Sequence, residues 1–164
     1  MGVLTDYFRA PGADAVRQVL ERTEGGSPLV GRRSVFDGVP SKGLDPGVVL
    51  GQLIAAIREV PWGVDLVGDT PVWPPGPVPG PDGPEGEEDP WVTGPWVFEL
   101  DAATRDTLAG VPDAAVPEVT ARWVQAEELY GAAAEDMQPV TEWLIRLARN
   151  ARAAGELLYC WMCL

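Results

Sequence analysis

The sequence predicts an α+β domain in which four main helices pack against a small mixed or antiparallel sheet, with strands near both ends of the chain. Two observations carry this expectation. Apolar residues recur at helical spacing in several segments, and short strand-like runs occur too rarely and too irregularly for a βαβ array. The 164 residues suffice for one domain over 1–164, interrupted by a proline-, glycine- and acid-rich insertion at about 74–90.

VLTDYF, residues 3–8, alternates loosely and reads as the first strand. Pro11 suits a first helical turn, after which Val16, Val19 and Leu20 form a stripe that ends at Gly25 and Gly26. Residues 25–43 read as a polar loop with one turn near Val35 and Phe36. Asp45 and Pro46 then start a helix, because the carboxylate accepts from free amides and the proline has no amide to leave unpaired. Leu50, Leu53, Ile54 and Ile57 repeat along it up to the break at Pro61.

From Val72 to Pro90 the density of Pro and Gly excludes a continuing ladder or helix, and polyproline II geometry or disorder is expected. Trp96-Val97-Phe98 reads as a strand, and Asp101 as the cap of a helix over Ala102–Ala109. Pro117 opens a helix lined by Val119, Trp123, Ala126 and Tyr130. The last helix is expected from about Pro139 to Ala154. Val140, Trp143, Leu144, Leu147, Ala148 and Ala151 form its inner stripe, Arg146, Arg149 and Arg152 its outer side, and Gly155 its stop.

The tail LLYCWMCL holds both cysteines, Cys160 and Cys163. As a strand it turns Leu158, Cys160, Met162 and Leu164 one way and Leu157, Tyr159, Trp161 and Cys163 the other. The Cα atoms would then lie ~10 Å apart, beyond disulfide reach. A redox pair wants its first cysteine at a helix N-terminus, and none can follow here. Zinc would need two further ligands from a chain with no histidine and no other cysteine. Both cysteines are therefore expected to be buried and structural, with no metal and no cofactor.

Charge narrows the partners. The net charge is −13, and residues 61–100 contain eight acids with no Lys or Arg. Such a field repels nucleic acid and anionic lipid and suits a basic protein partner, although acidity also serves solubility. With no long apolar run and no secretory signal in the opening residues, a reducing cytoplasm is the expected compartment.

The lack of histidine removes Ser-His-Asp, Cys-His and histidine-metal chemistry, and no phosphate-binding G-x-x-x-x-G-K-[ST] loop is present. Acidic pairs such as Asp65 with Asp69, or Glu127 with Glu128, are expected to be solvated, so no catalytic residue is assigned. Arg9 is expected to pair with an acid such as Asp6 or Asp45.

Three stretches resemble the YfbM-like family of small bacterial proteins of unknown function. They are MGVLTDYFRA with the helix behind it, KGLDPGVVLGQLIAAI, and the final helix running into LLYCW, with Leu66-Val67-Gly68 between them. The chain departs from that pattern at Val48 to Leu50, where the family carries a tryptophan and commonly a histidine, and in the insertion from Pro74 to Pro90. The resemblance implies an α+β fold and brings no catalytic residues.

Two functions from different classes remain. In the first, the chain is a non-enzymatic interaction module, such as an inhibitor or immunity protein, that engages a basic partner. Trp73, Trp91, Glu87, Glu88 and Asp89 of the insertion, with Trp62, would carry the contact. Its tryptophans could form a groove or, as favoured here, pack the insertion back onto its own domain. In the second, it binds a small molecule or acts as a histidine-free enzyme, using a cleft near Arg32, Arg33 and Trp62. A flat acidic surface with an ordered proline loop favours the first, and a deep pocket with converging acids or arginines the second.

Overall fold

Alternation in LLYCWMC decides the architecture. In the computed structural model, which describes residues 3–31, 34–84 and 86–164, this segment is a strand buried on both faces. Strand β1 comprises Leu4–Ala10, β2 Gly38–Pro40, β3 Asp69–Trp73, β4 Trp96–Leu100 and β5 Leu157–Cys163. They form one sheet in the order β2-β1-β5-β4-β3, with every neighbouring pair antiparallel. Strand β5 is thus the central strand, hydrogen-bonded to β1 from Leu4↔Cys163 to Ala10↔Leu157 and to β4 on its other edge.

Among the described residues six helices accompany the sheet, two more than the four main ones expected. They are α1 (Ala13–Arg22), α2 (Val49–Arg58), α3 (Pro90–Thr93), α4 (Ala102–Ala109), α5 (Val116–Trp123) and α6 (Ala134–Ala154). Helices α2, α4, α5 and α6 share one core with Tyr7, Leu100, Leu158 and Cys160 from one face of the sheet. The other face presents Phe8, Val97, Tyr159 and Trp161 to Val16 and Leu20 of α1 and to Leu29, Phe36 and Trp73. Phe8 stacks on Phe36 and on Tyr159, with ring centroids 5.3 and 5.5 Å apart. Cys160 and Cys163 therefore belong to opposite cores, as the alternation predicts, and both are free thiols. Only Cys160 is fully buried; Cys163, near the end of the strand, is half-buried.

Several helix ends match the residues that encode them. The Asp45 carboxylate accepts from the amides of Val48 at 2.7 Å and Val49 at 3.4 Å, closing a turn over Pro46 to Val48, so α2 itself begins at Val49 and not at Pro46 as expected. Asp101 caps α4 by accepting from the Thr104 amide at 2.7 Å, and Gly155 closes α6 in the left-handed conformation. The fully buried Trp123 indole donates to the Val49 carbonyl at 2.9 Å and ties α5 to α2.

Other expectations need correction. The loop over residues 25–43 contains β2, whose Gly38 admits no side chain, since a Cβ there would lie 2.6 Å from both the Tyr7 carbonyl oxygen and a Leu29 methyl. The ladder continues into Val72 and Trp73, because β3 is an edge strand and tolerates Pro71 there with a bulge. Helix α6 begins at Ala134, five residues before Pro139, which sits inside it. Tyr130 is 95% exposed and Trp143 47% exposed, so neither belongs to a core stripe. Arg9 pairs with Asp37 at 3.0 Å and Glu156 at 2.7 Å, and with neither Asp6 nor Asp45. Position 6 lies an odd number of residues from position 9 along β1 and so faces the opposite side of the sheet.

Across the helical core, the Tyr7 hydroxyl donates to the Leu44 carbonyl at 2.6 Å and fixes the turn that precedes α2. Burial pushes its ionisation well above the usual tyrosine range. Tyr7→Phe strips the Leu44 carbonyl of this donor, and urea unfolding should reveal a loss of about 1–3 kcal/mol. An unchanged midpoint would refute the anchoring role. Burial also pushes the Cys160 thiol far above the usual range. In the native protein a thiol reagent should label Cys163 and spare Cys160, which reacts only after denaturation; peptide mapping that finds Cys160 labelled first would contradict the assigned faces.

Candidate functional site

The insertion hangs from the β3 edge of the sheet, and ordinary local chemistry fixes its ends. At the return to β4, Asp89 accepts from the Trp91 amide at 2.8 Å and caps the short helix α3, which starts with Pro90. The Trp91 carbonyl in turn accepts from the Trp96 indole at 3.1 Å, binding the end of the insertion to the first residue of β4. At its other end, Trp73 and Pro95 close on Gly25, where a Cβ would lie 3.3 Å from the Trp73 indole nitrogen and 2.9 Å from the Pro95 ring. Gly25 also has a φ of +82°, so both its backbone and its surroundings require glycine.

Between these anchors Pro75, Pro77, Pro79 and Pro84 curve around Trp91 and, with Asp89, line a shallow groove of about 420 Å³. Trp73 and Trp91 are half-buried, Asp89 is half-buried at its cap, and Glu87 and Glu88 are exposed. Trp73 thus meets the main domain at Gly25, whereas Pro75 to Val78 and the acids Asp82, Glu87 and Glu88 are exposed.

Electrostatics distinguishes this edge. Among the described residues every ion pair uses an acid outside residues 60–104, namely Asp14, Asp37, Glu59, Asp106, Asp113, Glu118 or Glu156. Asp65, Asp69, Asp82, Glu87, Glu88, Asp89, Glu99 and Asp101 have no cationic partner there. Glu99 instead accepts from the Tyr159 hydroxyl. The Asp69 carboxyl is raised above the usual range, first by partial desolvation and then by the charge of Asp101. Gly68 makes this proximity possible, since a Cβ there would collide with the Asp101 carboxylate.

The other expected site residues lie elsewhere. Trp62 covers Gly51 of α2, donates to the Gly47 carbonyl at 3.2 Å, and lines a separate groove between α2 and α5 with Arg122. It does not join the proline groove. Arg32 and Arg33 lie outside the described residues. Among the described residues no three Cys, Asp or Glu side chains gather as a metal site, and no helix is long and apolar enough to cross a membrane.

Sequence reasoning missed a second region on α6, where Trp143, Arg146, Leu147 and Asn150 face β2. The signal was present as an aromatic, a cation and an amide at positions 143, 146 and 150, a row spaced like one side of a helix.

Asp69 provides a test of the crowded acidic edge. The folded chain binds its proton more tightly than the unfolded chain, so this group's contribution to stability falls as pH rises through the carboxylate range. Asp69→Asn should melt higher than the natural sequence at pH 7 and lose that advantage at about pH 3; the same advantage at both values would mean that charge is not the cause. No protein-family model, curated protein or solved structure matches the chain.

Proposed function

We propose that this chain is a non-enzymatic interaction module whose acidic edge engages a basic protein partner in a reducing cytoplasm. The observation that carries this reading is the set of eight acids from Asp65 to Asp101 without an ion pair among the described residues, in a chain of net charge −13. Uncompensated charge on a fold lowers its own stability and raises the rate of encounter with an oppositely charged surface. The proline segment suits such contact because it is tied at both ends and loses little freedom on binding. Neutralising a cationic toxin, as an inhibitor or immunity protein does, is the form of the function that best fits a small domain with this field.

We also propose distant kinship with the YfbM-like family. The three stretches that resemble it fall on β1 with α1, on the Asp45 turn with α2, and on α6 with β5.

The test compares the natural chain with an Asp82→Asn, Glu87→Gln, Glu88→Gln variant, both immobilised and exposed to lysate of the native host. The natural chain should retain a protein with a basic isoelectric point that elutes at about 0.5 M salt. The variant should retain at least about tenfold less of it. Retention that ignores the three substitutions, or a retained protein that is itself acidic, would defeat the proposal.

A further inference from the structure

Trp143 is a large aromatic left 47% exposed on the side of α6 that also carries the exposed Arg146 and Asn150. It stands at the wall of a groove of about 290 Å³ between α6 and β2. Leu147, which is buried, and Val39, which is partly buried, contribute apolar surface to the groove. Asp37, Arg146 and Asn150 supply its charged and polar groups.

The charges there are unequal in a way that selects a ligand. Asp37 is already engaged: its carboxylate accepts from Arg9 at 3.0 Å, a guanidinium it shares with Glu156, and from the Asn150 amide at 3.4 Å. Arg146 forms no ion pair and no hydrogen bond with any described residue, whereas Arg149 on the next turn is held by Asp113 at 2.7 Å. The groove thus offers an aromatic wall, apolar surface and one uncompensated guanidinium. A guanidinium matches a carboxylate in two parallel hydrogen bonds, and indole takes a flat apolar body by stacking. A single positive charge in a chain of net charge −13 favours a monoanion over a phosphate dianion, whose second charge would stay unpaired. The volume lies at the small end of ligand pockets, which limits the body to one or two rings.

We propose that the α6–β2 groove binds a small organic monocarboxylate with a flat apolar body, the carboxylate on Arg146 and the body against Trp143. Strands β2 and β3 are opposite edges of the sheet, so this site is separate from the acidic edge and does not depend on it.

Indole-3-acetate is the probe, with indole-3-acetamide as its uncharged counterpart. Binding is followed through the indole N–H resonances of the isotope-labelled protein, the Trp143 signal being assigned by its loss in Trp143→Phe. The acid should shift the Trp143 resonance in a saturable way, and the amide should bind at least about tenfold more weakly. Arg146→Gln should weaken the acid by a similar factor, whereas Arg152→Gln, on the same helix outside the groove, should leave it unchanged. The proposal is overturned if Trp143 does not respond, if acid and amide bind alike, or if the two arginine variants behave alike. The spectra themselves report whether each variant is folded.

Discussion

A strand that must bury both of its faces cannot lie at the edge of a sheet or on the surface of a domain. Strand β5 is such a strand, and the rest of the molecule is arranged to satisfy it. Leu158 and Cys160 require a core on one side, which α2, α4, α5 and α6 provide; Tyr159 and Trp161 require a second on the other, which α1 and the chain around Leu29 and Phe36 complete. Its backbone groups need partners along both edges, and β1 and β4 supply them. The Trp161 indole, buried in the second core, reaches the Gly25 carbonyl at 2.8 Å and so fixes the turn that follows α1.

With the centre committed to packing, chemistry is left to the sheet margins, which differ in character. Beyond β3 the chain presents acids and prolines held by backbone caps and by tryptophans; beside β2 it presents an aromatic, an amide and a guanidinium that has no ion pair among the described residues. The two margins share no residue among those lining their grooves. Substituting the exposed groups of one margin leaves the other in place.

Much of the scaffold was legible in the sequence because local chemistry agreed with the final packing. Asp45, Asp101 and Gly155 mark helix ends by hydrogen bonding and by backbone conformation, and alternation in the tail assigns each residue of β5 to its core. Strand β2 was not legible, since Gly38-Val39-Pro40 carries no β pattern and pairs only because β1 has a free edge to fill. Strand β3 was obscured by Pro71, which an edge position tolerates. Pro139 suggested the start of α6, yet it lies inside the helix, near its N-terminal end, where it forgoes the bond its amide would have made to Glu135 and crowds that carbonyl. Of the candidate site, the composition of the acidic edge was readable. The α6–β2 groove was not, because helical spacing alone placed Trp143 in the core, and only the position of β2 shows which side of α6 is left uncovered.

The order of strands also shapes how the chain reaches its final state. Strands β1 and β2, and likewise β3 and β4, pair over modest separations in sequence, but the two pairs meet only through β5, which follows all of them. Until β5 inserts, β1 and β4 each expose an unpaired edge and two unfinished apolar surfaces. Assembly is therefore governed by a contact between residues far apart in sequence, from Leu4 to Cys163, and a ribosome making this chain has produced β1 to β4 before their shared partner emerges.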